Sequence, residues 1–246
     1  MATIFRFAVI AALCCVATAT TTAETRFLVW PPPRSIHTTG DPLPLHPDFV
    51  VQIDSNSALL ADTIQRHRVA LAAASPAASR DATRGLRALR LTVTDGDETV
   101  GPDTRYDYRL NVNATGAAIV ASSVHAAAYA LDTFVQLVHA SGGRGALAHN
   151  HIAVDDGPMY KWRGLMIDAG RRFFPVPVVE NLLDTMQANK LNVLHLHASD
   201  FCRFGVESKT YPNLTAALTG IHGGFYSQAD VAALVAYAQA LSLIHI

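Results

Sequence analysis

Two hydrophobic periods share the first part of the chain. From Leu89 to Thr94, apolar Leu89, Leu91 and Val93 alternate with Arg90, Thr92 and Thr94, the two-residue period of a half-buried strand. Tyr106, Tyr108, Leu110 and Val112 alternate likewise, Asn113 to Gly116 reads as a turn, and Ala117 to Ala121 returns as the partner strand. A helical period governs Ser57 to Ala74, with Leu60, Ile64 and Leu71 on one face. It recurs through Val124, Ala128, Leu131, Val135 and Val138, closed by Gly142-Gly143. Prolines between Phe27 and Asp48 forbid a helix there, so that stretch predicts an extended lead-in. A strand at Ile152 to Val154 ends at Asp156-Gly157-Pro158. This is the pattern of a small α+β domain, drawn over residues 24–158.

After Pro158 the pattern changes. Gly164 to Ala169 is nearly all apolar, which predicts a strand covered on both faces. Pro175 and Pro177 precede a helix carrying Val178, Val179, Leu182, Leu183 and Met186, and Asn192 to His197 reads as a second strand. Ser227-Gln228-Ala229-Asp230 fits a capping box opening a helix with Val231, Leu234, Val235 and Ala238 turned inward. Residues 159–246 thus read β-α-β-loop-α-β, the opening of a parallel α/β domain, either doubly wound or a (β/α)8 barrel.

Composition narrows the class. Half of the 246 residues are hydrophobic and 16% are charged, ample for a core and unlike a disordered chain. Nineteen basic against 20 acidic residues give a net charge of −1, with no electrostatic pull toward nucleic acid or an anionic membrane. Residues 1–23 read as a secretory signal: Arg6, then the apolar run Phe7 to Ala17, then small residues ending at Ala19 or Ala23. The run is too short to span a bilayer, and nothing else in the chain approaches that length. Cys14 and Cys15 fall inside this leader, leaving Cys202 as a lone structural thiol. Two N-glycosylation sequons, at Asn113 and Asn213, fit a secretory route.

Chemistry in a parallel α/β domain gathers at the C-terminal ends of strands. Two clusters are expected there: Asp168, Arg171 and Arg172 after the first strand, and His195, His197 and Asp200 at and after the second. Strand period puts His195 and His197 on one face and Leu194 and Leu196 on the other. Three readings of these groups stay open. The histidines hold a metal, or are buried and hydrogen-bonded. Arg171 is an ion-pair hub, or a fork that grips hydroxyls or an anion. Asp200 orients another group. His67, His125 and His139 on helices, and Trp30 and Trp162, read as structural. A glycine-rich nucleotide loop and a serine-hydrolase elbow are both absent from the sequence.

The stretch Trp162 to Asp200, WRGLMIDAGRRFFPVPVVENLLDTMQANKLNVLHLHASD, resembles glycoside hydrolase family 20, the β-N-acetylhexosaminidases. Arg163-Gly164, Asp168-x-x-Arg171, Pro175, Asn189 to Val193 and His195-x-His197-x-x-Asp200 carry the likeness. Tyr211-Pro212-x-Leu214 and the helix Ser227 to Ala238 extend it. The first half is similar to the α+β domain that precedes the barrel in this family, through Leu131-Asp132-Thr133-Phe134-x-Gln136-Leu137.

The resemblance implies removal of terminal β-linked N-acetylglucosamine or N-acetylgalactosamine from glycans, with retention. The substrate's acetamido group serves as nucleophile, and an adjacent Asp-Glu pair supplies positioning and the general acid. It implies no metal and no organic cofactor. Arg171 matches the arginine that holds the sugar's hydroxyls, Asp200 a supporting aspartate, and His197 and Asp168 the same shell. Phe201 stands where the family often has a second acid, and Cys202-Arg203 also departs from its pattern.

The Asp-Glu pair belongs after the fourth barrel strand, beyond this sequence, so the chain is expected to be an inactive N-terminal fragment. The tail from about Ala240 reads as foreign to the family pattern. A secreted or lysosomal (vacuolar) enzyme, homodimeric at full length, is the expectation. Two alternatives are a metal-dependent barrel hydrolase using His195 and His197, and a non-catalytic carbohydrate-binding relative that keeps Arg171.

Overall fold

The computed structural model describes residues 29–73, 85–139, 145–201, 203–218 and 223–245. The leader with Cys14 and Cys15, the Gly142-Gly143 stop, the His139 side chain and Cys202 lie outside the described residues.

The first half builds a seven-stranded sheet. Its strands are β1 (Ser35–Thr39), β2 (Leu43–Ile53), β3 (Leu86–Val93), β4 (Tyr108–Asn113), β5 (Gly116–Ala121), β6 (Ala146–Leu147) and β7 (His151–Asp156). They are ordered β1-β7-β4-β5-β3-β2-β6. The alternation read from the sequence is realised: Tyr108, Leu110 and Val112 are buried while Arg109, Asn111 and Asn113 face water. Helices α1 (Ala58–Ala73) and α2 (Val124–His139) supply the rest of this core. In α2, buried Ala126, Ala127 and Ala130 leave room for close helix–sheet approach around Leu131, Phe134 and Val138.

The lead-in expected over Phe27 to Asp48 is instead largely strand. Its period was hidden by proline. The pairing of β2 with β3 shifts register between Leu45 and Val50, and Pro47, which has no N–H to donate, sits in that irregularity. The two-residue β6, paired to Leu43 and Pro44, is too short for any period to reveal.

The second half follows the β-α-β-loop-α-β reading. It contains β8 (Gly164–Asp168), α3 (Val176–Ala188), β9 (Val193–His197), the short pair β10 (Ser199–Asp200) and β11 (Arg203–Phe204), α4 (Gln228–Ala240) and β12 (Ile244–His245). The parallel order is β12-β9-β8. The capping box is present: the Ser227 side chain accepts from the Asp230 N–H, and the Asp230 carboxylate accepts from the Ser227 N–H at 2.9 Å. The expectation that β8 is covered on both faces is corrected. Among the described residues it is the edge of its sheet, α3 and α4 pack on one side, and Leu165 and Met166 are 37% and 54% exposed. Beyond Ala240 the chain enters this small core, with Leu243 fully buried and Ile244 paired to Val193.

The halves meet at a buried polar seam. Helix α3 ends in a Schellman motif: Leu191 N–H donates to Met186 O and Lys190 N–H to Gln187 O, each at 2.9 Å. The left-handed position, normally glycine, is Lys190 with φ 54°. Its side chain runs into the first domain. There Nζ donates to Asp156 Oδ2 at 2.9 Å, to the Tyr108 hydroxyl at 3.0 Å and to Thr133 Oγ1 at 3.1 Å. Three donors meet three acceptors, so the buried ammonium is fully satisfied. Tyr108 also donates to Asp156 at 2.8 Å, while the Arg34 and Gly157 N–H groups cover the other carboxylate oxygen.

Beside it, Arg163 donates from Nε to Lys190 O at 2.7 Å and lies 4.7 Å over the Tyr106 ring. Its own N–H donates to Asn192 Oδ1 at 2.8 Å, tying the start of β8 to the start of β9. Trp30, read as structural, bridges the two halves, donating from Nε1 to Asn189 Oδ1 at 2.6 Å with an exposed ring. Trp162 is exposed beside Gly164. His67 pairs with Asp132, which also accepts from Gln187 of α3, and buried His125 meets Ser242 Oγ at 3.0 Å.

Lys190→Ala is expected to cost about 3–5 kcal/mol in urea unfolding at neutral pH, because Asp156 stays buried without its cation. Lys190→Gly should be about 1 kcal/mol milder, since glycine accepts the left-handed backbone. Equal losses would mean that backbone strain plays no part. Burial raises the pKa of Asp156, but the Lys190 charge and the hydrogen bonds from Lys190, Tyr108 and Gly157 outweigh it and hold the carboxyl below its ordinary value. Its contribution is therefore complete above the unfolded value of about 3.9 and is lost as pH falls through the folded pKa. Asp156→Asn should flatten the acid limb of the stability curve.

Candidate functional site

Strand register assembles the site. In the β8–β9 pair Asp168 stands opposite His197 and Met166 opposite His195, while Leu165 and Ile167 face Leu194 and Leu196. Buried Leu194 and partly buried Ile167 and Leu196 belong to the helix-covered core, so Asp168 and His197 occupy the other face.

Arg171 follows β8 and Asp200 follows β9. Arg171 Nε donates to Asp200 Oδ2 at 2.6 Å and lies 3.4 Å from Asp168 Oδ2. Its backbone N–H donates to Asp168 Oδ1 at 2.9 Å. His197 Nε2 stands 3.7 Å from the same Asp200 oxygen. All four predicted site residues therefore converge. The Arg171 side chain is 72% exposed, at the open end of the strands.

Two features that sequence reasoning missed hold this group together. A Cβ on Gly170 would lie 2.7 Å from Ser199 C and 3.0 Å from Asp200 N, so glycine alone permits the β10 backbone to come this close. Arg203, read only as a departure from the family pattern, is buried and donates to Ala169 O at 3.2 Å and to Gly224 O. It braces the chain on both sides of the site. The glycine had a visible signal, its place directly after a strand. Arg203 had none, because its carbonyl partners carry no side-chain signature.

The Phe201 N–H and the Arg171 guanidinium hold the Asp200 carboxyl below the usual carboxylate range. Asp168, His197 and Asp200 offer ligand atoms within 4.8 Å of one another. The cation already set among these carboxylates is Arg171, whose charge opposes a metal ion at the same oxygens. His195, opposite Met166 and exposed, is not part of that group, so the alternative of a metal held by His195 and His197 finds no three-ligand cluster containing both among the described residues. Arg172 is exposed and Phe201 fully so.

An α+β domain leading into the first strands of a parallel α/β barrel, with an Arg–carboxylate group at the strand ends, defines a two-domain α/β protein with a polar strand-end site. Residues 27–156 match the family description "Glycosyl hydrolase family 20, domain 2", and residues 160–246 match "Glycosyl hydrolase family 20, catalytic domain". The chain belongs to glycosyl hydrolase family 20, a family of glycosidases.

Among its relatives is beta-hexosaminidase subunit A2 of Dictyostelium discoideum, 32% identical over 213 residues, covering 86% of this chain and 39% of that protein. A beta-hexosaminidase of Emericella nidulans is 34% identical, over 68% of this chain and 29% of its own length. The solved chitobiase of Flavobacterium johnsoniae superposes with a TM-score of 0.72 at 26% identity, covering 89% of this chain and 34% of that one. The chain thus spans under two fifths of these proteins. No helix among the described residues is long and apolar enough to cross a membrane.

Arg171→Ala should return the Asp200 pKa toward the ordinary carboxylate value, measured by carboxyl NMR titration. Gly170→Ala should produce the same rise with Arg171 still present, by pushing the Ser199–Asp200 backbone away. A titration unmoved in Gly170→Ala would show that the close approach is not needed.

Proposed function

We propose that the protein to which this chain belongs is a β-N-acetylhexosaminidase, cleaving terminal N-acetylglucosamine or N-acetylgalactosamine with retention through the substrate's own acetamido group. The observation that carries this reading is the convergence of Arg171, Asp168, His197 and Asp200 at the strand ends of a family-20 chain. Arg171 is the group suited to sugar hydroxyls: a planar, permanently charged fork, held in place by two carboxylates. Asp200 and Asp168 act as positioning residues, Asp200 through its hydrogen bond from the guanidinium and Asp168 through its ion pair with it and its hydrogen bond from the Arg171 backbone N–H. His197, on the same carboxylate, completes the ring of polar groups. The general acid and the acetamido-positioning aspartate lie outside these residues, so the 246-residue chain alone is assigned no turnover.

The same reading divides the chain into a secretory leader (1–23), an α+β domain (24–158) and the barrel's opening (159–246). It sends the protein to the cell exterior or to a lysosome-like compartment, and makes the full-length enzyme a homodimer. The sequons and the apolar leader support that route; the family membership supports the substrate class.

Full-length protein assayed with a chromogenic N-acetyl-β-glucosaminide should turn over, and Arg171→Lys should lower kcat/KM by about 10- to 100-fold, the worth of a lost charge-assisted hydrogen bond or two. Binding of the sugar without turnover in the full-length protein would instead favour a non-catalytic carbohydrate-binding relative. Turnover by the 246-residue chain would overturn its assigned inactivity.

A further inference from the structure

The two glycosylation sequons stand in opposite local structures. Asn113-Ala114-Thr115 forms the tip of the β4–β5 hairpin, where Asn113 is paired with Gly116 and all three sequon residues are exposed. The Asn113 side-chain oxygen accepts three hydrogen bonds: from Thr115 N–H at 2.9 Å, from the Thr115 hydroxyl at 2.8 Å and from Gly116 N–H at 3.0 Å. All three partners bind the amide oxygen, so the turn holds the carboxamide by that atom alone. They also leave Nδ2 without a hydrogen-bond partner among the described residues.

Asn213-Leu214-Thr215 lies instead on the 3-10 turn Pro212–Leu214. Thr215 is buried, and its hydroxyl donates to Pro212 O at 3.2 Å, away from the asparagine amide. Here the sequon's hydroxyl is turned inward once the chain has folded.

We propose that Asn113 is the principal glycan-bearing asparagine of this chain and that Asn213 is at most sparsely modified. The donor is a lipid-pyrophosphate-linked oligosaccharide. Asn113 Nδ2 bonds to the sugar's anomeric carbon, the bond from that carbon to the pyrophosphate oxygen breaks, and the lipid pyrophosphate leaves with the electron pair. The amide proton passes to a base of the transferring enzyme. Timing supports the asymmetry. A two-residue hairpin turn forms locally, within about 1–10 μs, so Asn113 presents its geometry to the enzyme before and after folding. Asn213 is available only until Thr215 is buried.

The position tolerates a glycan. Arg109, Asn111 and Asn113 share the water-facing side of the sheet, opposite α1 and α2. Asn113 is also five residues along the strand from the seam at Tyr108, about 17 Å at strand rise. A sugar there stands clear of the seam.

This inference rests on the secretory reading, and the experiment separates the two. The full chain is translated with microsomes behind an established secretory leader, so entry does not depend on residues 1–23, and only protease-protected product is scored. One glycosidase-sensitive mobility step is expected. It should vanish in Asn113→Gln and equally in Thr115→Ala, which keeps the asparagine, and persist in Asn213→Gln. A step that survives Asn113→Gln, disappears in Asn213→Gln, or is missing from protected wild-type chain overturns the proposal. Protection of the chain carrying its own residues 1–23 tests the secretory reading by itself.

Discussion

A buried ammonium sits at the centre of the contacts that tie the two halves of this chain together. Lys190 belongs by sequence to the barrel half, yet all three of its side-chain acceptors, Asp156, Tyr108 and Thr133, belong to the α+β half. Desolvating a lysine and an aspartate costs several kcal/mol per ion, recovered only when every donor is met at good distance, as here. The backbone concedes something too, because Lys190 occupies a left-handed position that favours glycine. The two halves therefore cannot separate without breaking this ion pair and the hydrogen bonds around it.

The strand-end site depends on that seam at a distance. Arg163 and Asn192, which flank Lys190 in space, fix where β8 and β9 begin. A parallel pair keeps the register with which it starts, and a one-residue slip would turn Asp168 or His197 to the helix side. The seam at one end of the two strands thus determines that the carboxylate and the imidazole face each other at the other. Gly170 then allows the β10 backbone to close on β8, and Arg203 braces both flanks. Within the site the charge is nearly self-compensating: two carboxylates surround one guanidinium that remains open to solvent. On the proposed reading, that arrangement serves recognition of neutral sugar hydroxyls.

The elements with strong periods are legible in the order of residues alone. The β4–β5 hairpin, both helices of the first domain, and the β-α-β order of the second half follow from alternation, from the 3.6-residue stripe and from turn residues. The capping box at Ser227 can be read from four letters, because its hydrogen bonds are local. The strands within residues 35–53 are not legible in this way. Their partners β7, β3 and β6 lie far along the chain, and prolines mask the alternation. The exposure of β8 is equally hidden, since an apolar run records what a strand can bury and not which neighbours stand beside it.

The sequence by itself determined the family, the order of elements, and the residue types at the strand ends, Asp168, Arg171, His197 and Asp200. All of these are properties of spacing along one chain. Only the tertiary structure decided that Lys190 is the seam's cation, that Gly170 is where two backbones nearly touch, that Arg203 is a brace, and that His195 stands apart from His197's partners. The physical reason is common to the four. Each depends on which distant groups come within a few ångströms of one another, and one-dimensional spacing carries no record of that proximity.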